Sequence, residues 1–158
     1  MRSYAAASAI NGMSSWNGGD LFVSKEAMER LRPHVGKECE FVPAEIEGAA
    51  QPYYLLWITN LIDALDRERS VMQDVSRSEP DGTRLKRVQE FCFHEDVLTG
   101  HLLFRLPGKG FSEDCLKNFC THEFVELVKK LEIDGFTFNT AQSGRLIVPV
   151  PVKRRSSP

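Results

Sequence analysis

The sequence predicts an α+β domain: a mainly antiparallel sheet with two helices packed on it, both helices coming from a repeated strand–helix–strand unit. Three observations carry that expectation. Residues 21–44 (LFVSKEAMERLRPHVGKECEFVPA) and 118–141 (NFCTHEFVELVKKLEIDGFTFNTA) align without a gap at an offset of 97 positions. Phe22 then falls on Phe119, Ser24 on Thr121, Glu26 on Glu123, Glu29 on Glu126, Arg32 on Lys129, Phe41 on Phe138 and Ala44 on Ala141. Between the copies, Tyr53 to Thr59 is the densest apolar stretch, and strands and helices segregate without a regular βαβα alternation.

Residues 1–20 are mostly small and polar and read as a flexible lead-in, with Trp16 as its one costly residue, to be docked on the domain. Residues 21–150 read as a single domain, followed by a basic tail over 151–158. Leu21-Phe22-Val23 is a short strand. Ser24 has the chemistry to cap a helix, and Glu26 suits the positive end of its dipole. Ala27, Met28, Leu31 and Val35 recur on one helical face, and Pro33 and Gly36 end the helix. Cys39 to Ile46 is a strand in which Pro43 calls for an edge position or a break.

Tyr53 to Thr59 shows no alternation, as expected of a strand covered on both faces. Asn60 to Asp66 reads as a helical turn. Residues 76–84 form a polar loop around the turn signal Pro80-Asp81-Gly82. Leu85 to Phe93 and Leu102 to Leu106 are two further strands, joined by His94–His101. Pro107 to Gly110 is a glycine-rich loop. The second unit follows, capped by Thr121, with Phe124, Val125, Val128 and Leu131 on the apolar face and Asp134-Gly135 turning into Phe136-Thr137-Phe138. LIVPVPV, near the end, adds an edge strand.

With 158 residues the chain fits one domain, and 42% apolar residues suffice for a core. A formal charge of −2, from 20 basic and 22 acidic residues, gives no electrostatic footprint for nucleic acid or an anionic membrane. Cys39, Cys92, Cys115 and Cys120 are too few for a stapled miniprotein of this length and read as free, buried thiols of a reducing, cytoplasmic compartment. The Ala5–Ile10 stretch is too short for a signal peptide, and Tyr53–Ile58 falls far below the roughly 20 residues of a membrane span.

Several groups invite a chemical reading, and each has a simpler one. His94, Asp96 and His101 are possible metal ligands, but they sit in a turn without a known metal motif. Cys115, Cys120 and His122 resemble half a zinc knuckle or a nucleophile and its base, but the repeat puts Cys120 where Val23 sits, as a small apolar strand residue. Asp63 and Asp66 are a carboxylate pair fit for acid–base work or a cation; alternatively they cap backbone turns. Gly108-Lys109-Gly110 lacks the spacing of a phosphate-binding loop. Tyr53, Tyr54 and Trp57 have no interleaved basic residues for base stacking and read as core. Binding, with no enzyme activity, is therefore the favoured class, and no cofactor is expected.

The segments FVSKEAMERL, CEFVPAEI, YYLLWITNLIDALDRERS, LLFRLPG and FVELVKKLEIDGFTFNTA, in that order from Leu21 to Ala141, resemble the Imm11 family of immunity proteins, formerly DUF1629, of bacterial polymorphic toxin systems. The family's Asp-x-x-Asp segment and following Ser correspond here to Asp63, Asp66 and Ser70, and its aromatic–Arg pair to Phe104-Arg105. The resemblance implies a cytoplasmic protein that neutralises a cognate toxin by occluding its active site. Under that reading the acidic residues Glu38, Glu40, Glu45 and Glu47 form a candidate toxin-facing cluster that would meet a basic cleft. Two alternatives remain: an enzyme that reverses the toxin's modification, and an adaptor domain with no toxin partner.

Overall fold

The computed structural model describes residues 21–111, 118–134, 136 and 138, together with the strand pairing of 3–4, 139 and 146–147. In chain order the elements are β1 (Ser3–Tyr4), β2 (Leu21–Ser24), α1 (Lys25–Val35), β3 (Cys39–Ala44), β4 (Tyr53–Ile58), β5 (Val71–Ser78), β6 (Arg84–Glu90), a 3-10 turn (Glu95–Leu98), β7 (Leu103–Phe104), β8 (Phe119–Cys120), α2 (His122–Lys130), β9 (Ile133–Asp134), β10 (Phe138–Asn139) and β11 (Leu146–Ile147). Two helices on largely antiparallel sheets make the fold α+β, as the sequence predicts. Trp16, Cys115 and the tail 151–158 lie outside the described residues. Part of the lead-in does carry structure: β1 pairs in parallel with β9.

The internal repeat extends from sequence into topology. β2 and β3 both run antiparallel to β4, which lies between them in the order β2-β4-β3. β8 and β10 both run parallel to β11, which lies between them in the order β10-β11-β8, with β7 added beyond β8. Each unit thus leaves a gap between its two strands, and a later strand fills it. The strand expected at an edge from LIVPVPV is therefore internal. Its pairing falls on Leu146–Ile147.

Ser24 caps α1 as its chemistry allows, its Oγ accepting the Ala27 N–H at 3.1 Å. The helix buries Ala27, Met28, Leu31 and Val35 and runs through Pro33 to Val35. Pro33 has no N–H to give Glu29 O, yet the helix continues past it, and the Gly36 N–H still reaches Arg32 O at 2.9 Å. Thr121, its counterpart, holds the N-cap position of α2 but makes no side-chain cap. Its hydroxyl instead donates to His101 O at 2.7 Å and its N–H to Leu102 O at 3.0 Å, clamping the chain that enters β7. α2 buries Phe124, Val125 and Val128, with Leu131 half-buried just beyond its end.

Three further expectations change. β4 is central, but its outer face is partly open, since Trp57 is 44% exposed. Asn60–Asp66 is extended rather than helical, bridging Leu61 to Arg105 and Leu65 to Phe93. The expected loop 76–84 shrinks to residues 79–83, because β5 pairs with β6 as a long hairpin. Its exposed polar rungs, Lys86 Nζ to Asp74 at 2.6 Å and Gln89 Nε2 to Gln73 at 2.7 Å, give no apolar alternation to read. At the tip, Gly82 adopts φ 92°, which a side chain rarely permits.

Two apolar clusters form the core. One gathers Leu21, Val23, Leu31, Leu56, Leu103, Phe124 and their neighbours between the helices and the sheets. The other is aromatic: Phe93 meets Phe104 edge-on at 5.5 Å, and Phe104 stacks on Phe119 at 5.3 Å. Among the described residues, no helix is long and apolar enough to cross a membrane.

A polar junction ties β3 and β4 to β7. Glu38 Oε1 accepts the N–H groups of Leu102 and Leu103 at 2.9 and 3.1 Å. Its Oε2 meets His101 Nδ1 at 2.8 Å and accepts Asn60 Nδ2 at 3.2 Å. Asn60 Nδ2 also donates to Leu103 O at 2.9 Å. Removing the carboxylate strands two backbone donors at the start of β7, one of them on the buried Leu103. Glu38→Ala is expected to lower stability by about 2–3 kcal/mol, and Glu38→Gln, which keeps an acceptor, by less. Urea denaturation of the two variants checks the order.

Candidate functional site

The strand register sorts β4 into two faces. Leu21, Leu56 and Phe41 align across the sheet, as do Val23, Tyr54 and Pro43, on the side of the first apolar cluster. Tyr53, Leu55 and Trp57 therefore point the other way, with Glu40 opposite Trp57 and Val42 opposite Leu55. On this outer face Val42 is 42% and Trp57 44% exposed, and Leu61, just past the end of β4, is 59% exposed.

Arg105 completes the surface. Its guanidinium lies over the Trp57 ring, 4.8 Å from the centroid, a cation–π contact. The backbone holds it there: the Arg105 N–H donates to Asn60 O at 2.8 Å, and Arg105 O accepts the Ile62 N–H at 2.9 Å. The Glu38–Asn60 junction therefore also fixes the approach of Arg105 to Trp57. Trp57 and Arg105, with Val42, Leu61 and Glu40 near them, form a partly apolar, solvent-exposed surface. Aromatic residues and arginine carry most of the energy in protein interfaces.

The other motif residues face inward. Asp66 is buried, and its Oδ1 accepts the N–H groups of Glu68 and Arg69 at 3.0 and 3.1 Å. Its Oδ2 accepts Arg69 Nε at 2.6 Å and lies 3.8 Å from His94 Nδ1. The Asp66 N–H donates to Cys92 O at 2.8 Å. Ser70 finishes the clasp: its hydroxyl donates to Cys92 O at 3.1 Å and accepts the Cys92 N–H at 2.9 Å. Asp66 and Ser70 together fasten residues 66–70 to residues 92–94. Asp63, by contrast, is exposed and pairs with Arg67 at 3.5 Å. Asp63 and Asp66 both line one open cleft with Arg67, Glu68 and His94, but only Asp66 is buried. Phe104 is fully buried in the aromatic cluster, while its neighbour Arg105 reaches the surface.

Of the acidic cluster, Glu40, Glu45 and Glu47 are exposed. Glu38 is not part of that surface: its side chain is 14% exposed and its carboxylate is engaged inside the junction. The histidines of the expected metal turn are drawn apart, His94 towards Asp66 and His101 towards Glu38, while Asp96 is exposed in the 3-10 turn. Among the described residues, no three of His, Cys, Asp and Glu gather as metal ligands. Cys39 and Cys120 are buried thiols. Burial pushes Cys39 up to about 12 and Cys120 up as well, which disfavours the nucleophilic thiolate. Lys109 lies 3.7 Å from Asp81 across two turns, and Gly110 O accepts the Lys86 N–H, so the Gly108–Gly110 loop packs against the β5–β6 hairpin.

Sequence reasoning read Trp57 as core. The signal that would have found the surface is the period-two phase of Tyr53-Leu55-Trp57 set against Glu40 and Val42, which emerges only once the register is known.

Glu38 and Asp66 are spent on backbone donors, whereas Trp57 and Leu61 stand exposed beside Arg105. The sequence model of the Immunity protein family (Imm11) matches residues 7–143, and the chain belongs to that family. Membership implies a toxin as partner. Neither the comparison with curated proteins nor that with solved structures gives a match.

The hydrogen bond from Arg69 holds the Asp66 carboxyl below its ordinary value of 3.8. A depressed folded-state value adds stability that is present above the ordinary value and lost as pH falls through the folded one. Asp66→Asn is therefore expected to destabilise the protein at neutral pH, with the gap to the native protein narrowing as pH falls below the ordinary value of 3.8. Chemical denaturation at a series of pH values measures the gap.

Proposed function

We propose that this protein protects its cell by binding a cognate toxin in the cytoplasm and covering the toxin's active site, with Trp57 and Arg105 as the anchors of the contact. The observation that carries the reading is the arginine-braced tryptophan, exposed on the outer face of β4 between Val42 and Leu61. Keeping such a residue half in water costs solvation that a partner would recover, and pre-bracing the ring by Arg105 lowers the entropy lost on binding. An interface of ordinary size, about 1,200–2,000 Å² in total, would extend well beyond these residues. Glu40, Glu45 and Glu47 would lie on the β3 side of that contact and favour encounter with a basic cleft. In this reading Asp63, Asp66 and Ser70 serve the fold, not the partner: the Asp66–Ser70 clasp keeps the segment that ends β4 in place.

The test is binding to the cognate toxin domain, identified by mass spectrometry of what this protein captures from its native cells. Trp57→Ala and Arg105→Ala are each expected to weaken binding by about 2–4 kcal/mol, or roughly 30- to 1000-fold. Their unfolding midpoints should stay close to that of the native protein, because both side chains are partly in solvent. Calorimetric titration, paired with survival of toxin-expressing cells, checks both effects. Unchanged affinity in a folded Trp57→Ala variant would remove the surface from the account.

A further inference from the structure

We infer that the outer edge of β3 is a docking rail: it takes up an extended segment of the toxin as an added strand, beside the Trp57–Arg105 surface. The inference rests on the toxin-binding reading above and names how the partner is held.

The backbone pattern supplies the argument. Glu38 O accepts the Thr59 N–H at 3.0 Å, which makes Glu38–Thr59 a hydrogen-bonded pair of the β3–β4 ladder. Such pairs alternate along antiparallel strands. Glu40–Trp57 and Val42–Leu55 are therefore bonded inward to β4. Cys39, Phe41 and Pro43 then direct their backbone groups outward. Among the described residues β3 pairs with β4 alone, so this edge offers the N–H and C=O of Cys39 and Phe41 and the C=O of Pro43.

Edge strands are normally blunted by charge or proline. Here Pro43 blunts only the far end. The stretch before it carries Val42, a β-branched residue left 42% exposed at the edge, directly opposite Leu55 and two positions along from the Glu40–Trp57 pair. An added strand would alternate its side chains. Those set beside Glu40 and Val42 would lie on the Trp57 face, one meeting a carboxylate and one an apolar residue. The fitting occupant is thus a toxin segment with a Lys or Arg and an apolar residue two positions apart, the two set beside Glu40 and Val42. A second copy of this chain fits less well, since self-pairing centred on Phe41 sets Pro43, which has no N–H, against Cys39.

Amide hydrogen exchange of the protein, free and with an inactive variant of the captured toxin domain, reads the edge directly. The Phe41 N–H is expected to exchange freely in the free protein and to slow at least tenfold in the complex, whereas Glu40 and Val42 are protected in both. A paired comparison separates backbone from side chain. Phe41→Ala keeps the outward N–H and Phe41→Pro removes it, so the proline variant is expected to bind about tenfold more weakly than the alanine one. A 1:1 complex in which the Phe41 amide still exchanges freely overturns this inference and leaves the toxin-binding reading standing. Equal affinities of the two Phe41 variants do the same. Protection of Phe41 in the free protein that grows with its concentration assigns the edge to a second copy and overturns it as well. Absence of any complex overturns both readings.

Discussion

The Glu38–Asn60 junction is the constraint on which the rest of the structure depends. One half-buried carboxylate satisfies two backbone donors at the entrance to β7, meets His101 and receives Asn60; Asn60 then binds Leu103 O and, through its own backbone, the Arg105 N–H. β3 and β4 belong to the first unit, and β7 joins the second. The junction is therefore a seam between the two copies of the repeat. A charged acceptor in such a place costs desolvation, which it recovers only when every lone pair is used. That cost makes the register strict. A slip of one residue at β7 would leave both the carboxylate and the N–H groups unmatched and would carry Arg105 away from Trp57.

The repeat shows why two short units make one domain. A strand–helix–strand unit with a gap between its strands cannot close its own ladder. Each unit borrows a strand from later in the chain, β4 in the first and β11 in the second. The helices then bury matching faces, Ala27, Met28 and Leu31 in one and Phe124, Val125 and Val128 in the other, into a single apolar cluster. The second cluster, around Phe93, Phe104 and Phe119, lies against the loop that the Asp66–Ser70 clasp secures.

Where local chemistry decides the outcome, the sequence was readable. Ser24 caps its helix, Pro43 marks an edge strand, and the apolar spacing of both helices gives their buried faces. Tertiary partners overruled local signals elsewhere. Thr121 repeats Ser24 in sequence, yet its hydroxyl goes to His101 O because β7 is beside it. Asn60–Asp66 has helical spacing, yet extended pairing with Arg105 and Phe93 offers its backbone better bonds. The motif residues were visible by resemblance, but their division of labour was not. Asp66 and Ser70 look like chemistry but bond to backbone groups of residues 68–69 and Cys92, while Arg105 reaches a tryptophan 48 positions away in sequence. Glu38 looked like one of four exposed acids because strand alternation does not reveal what stands opposite. Trp57 looked like core because an apolar run reads the same whether one face or two are covered.

Neutralisation by occlusion differs from neutralisation by chemistry in one respect that no variant can blur, which is stoichiometry. The decisive measurement is the residual activity of the purified toxin domain, held well above the dissociation constant and titrated with this protein. The account predicts a linear fall to zero with a break at about one protein per toxin, independent of incubation time. Loss of activity that completes at a small fraction of one equivalent, and deepens with time, would contradict it and identify a catalyst instead.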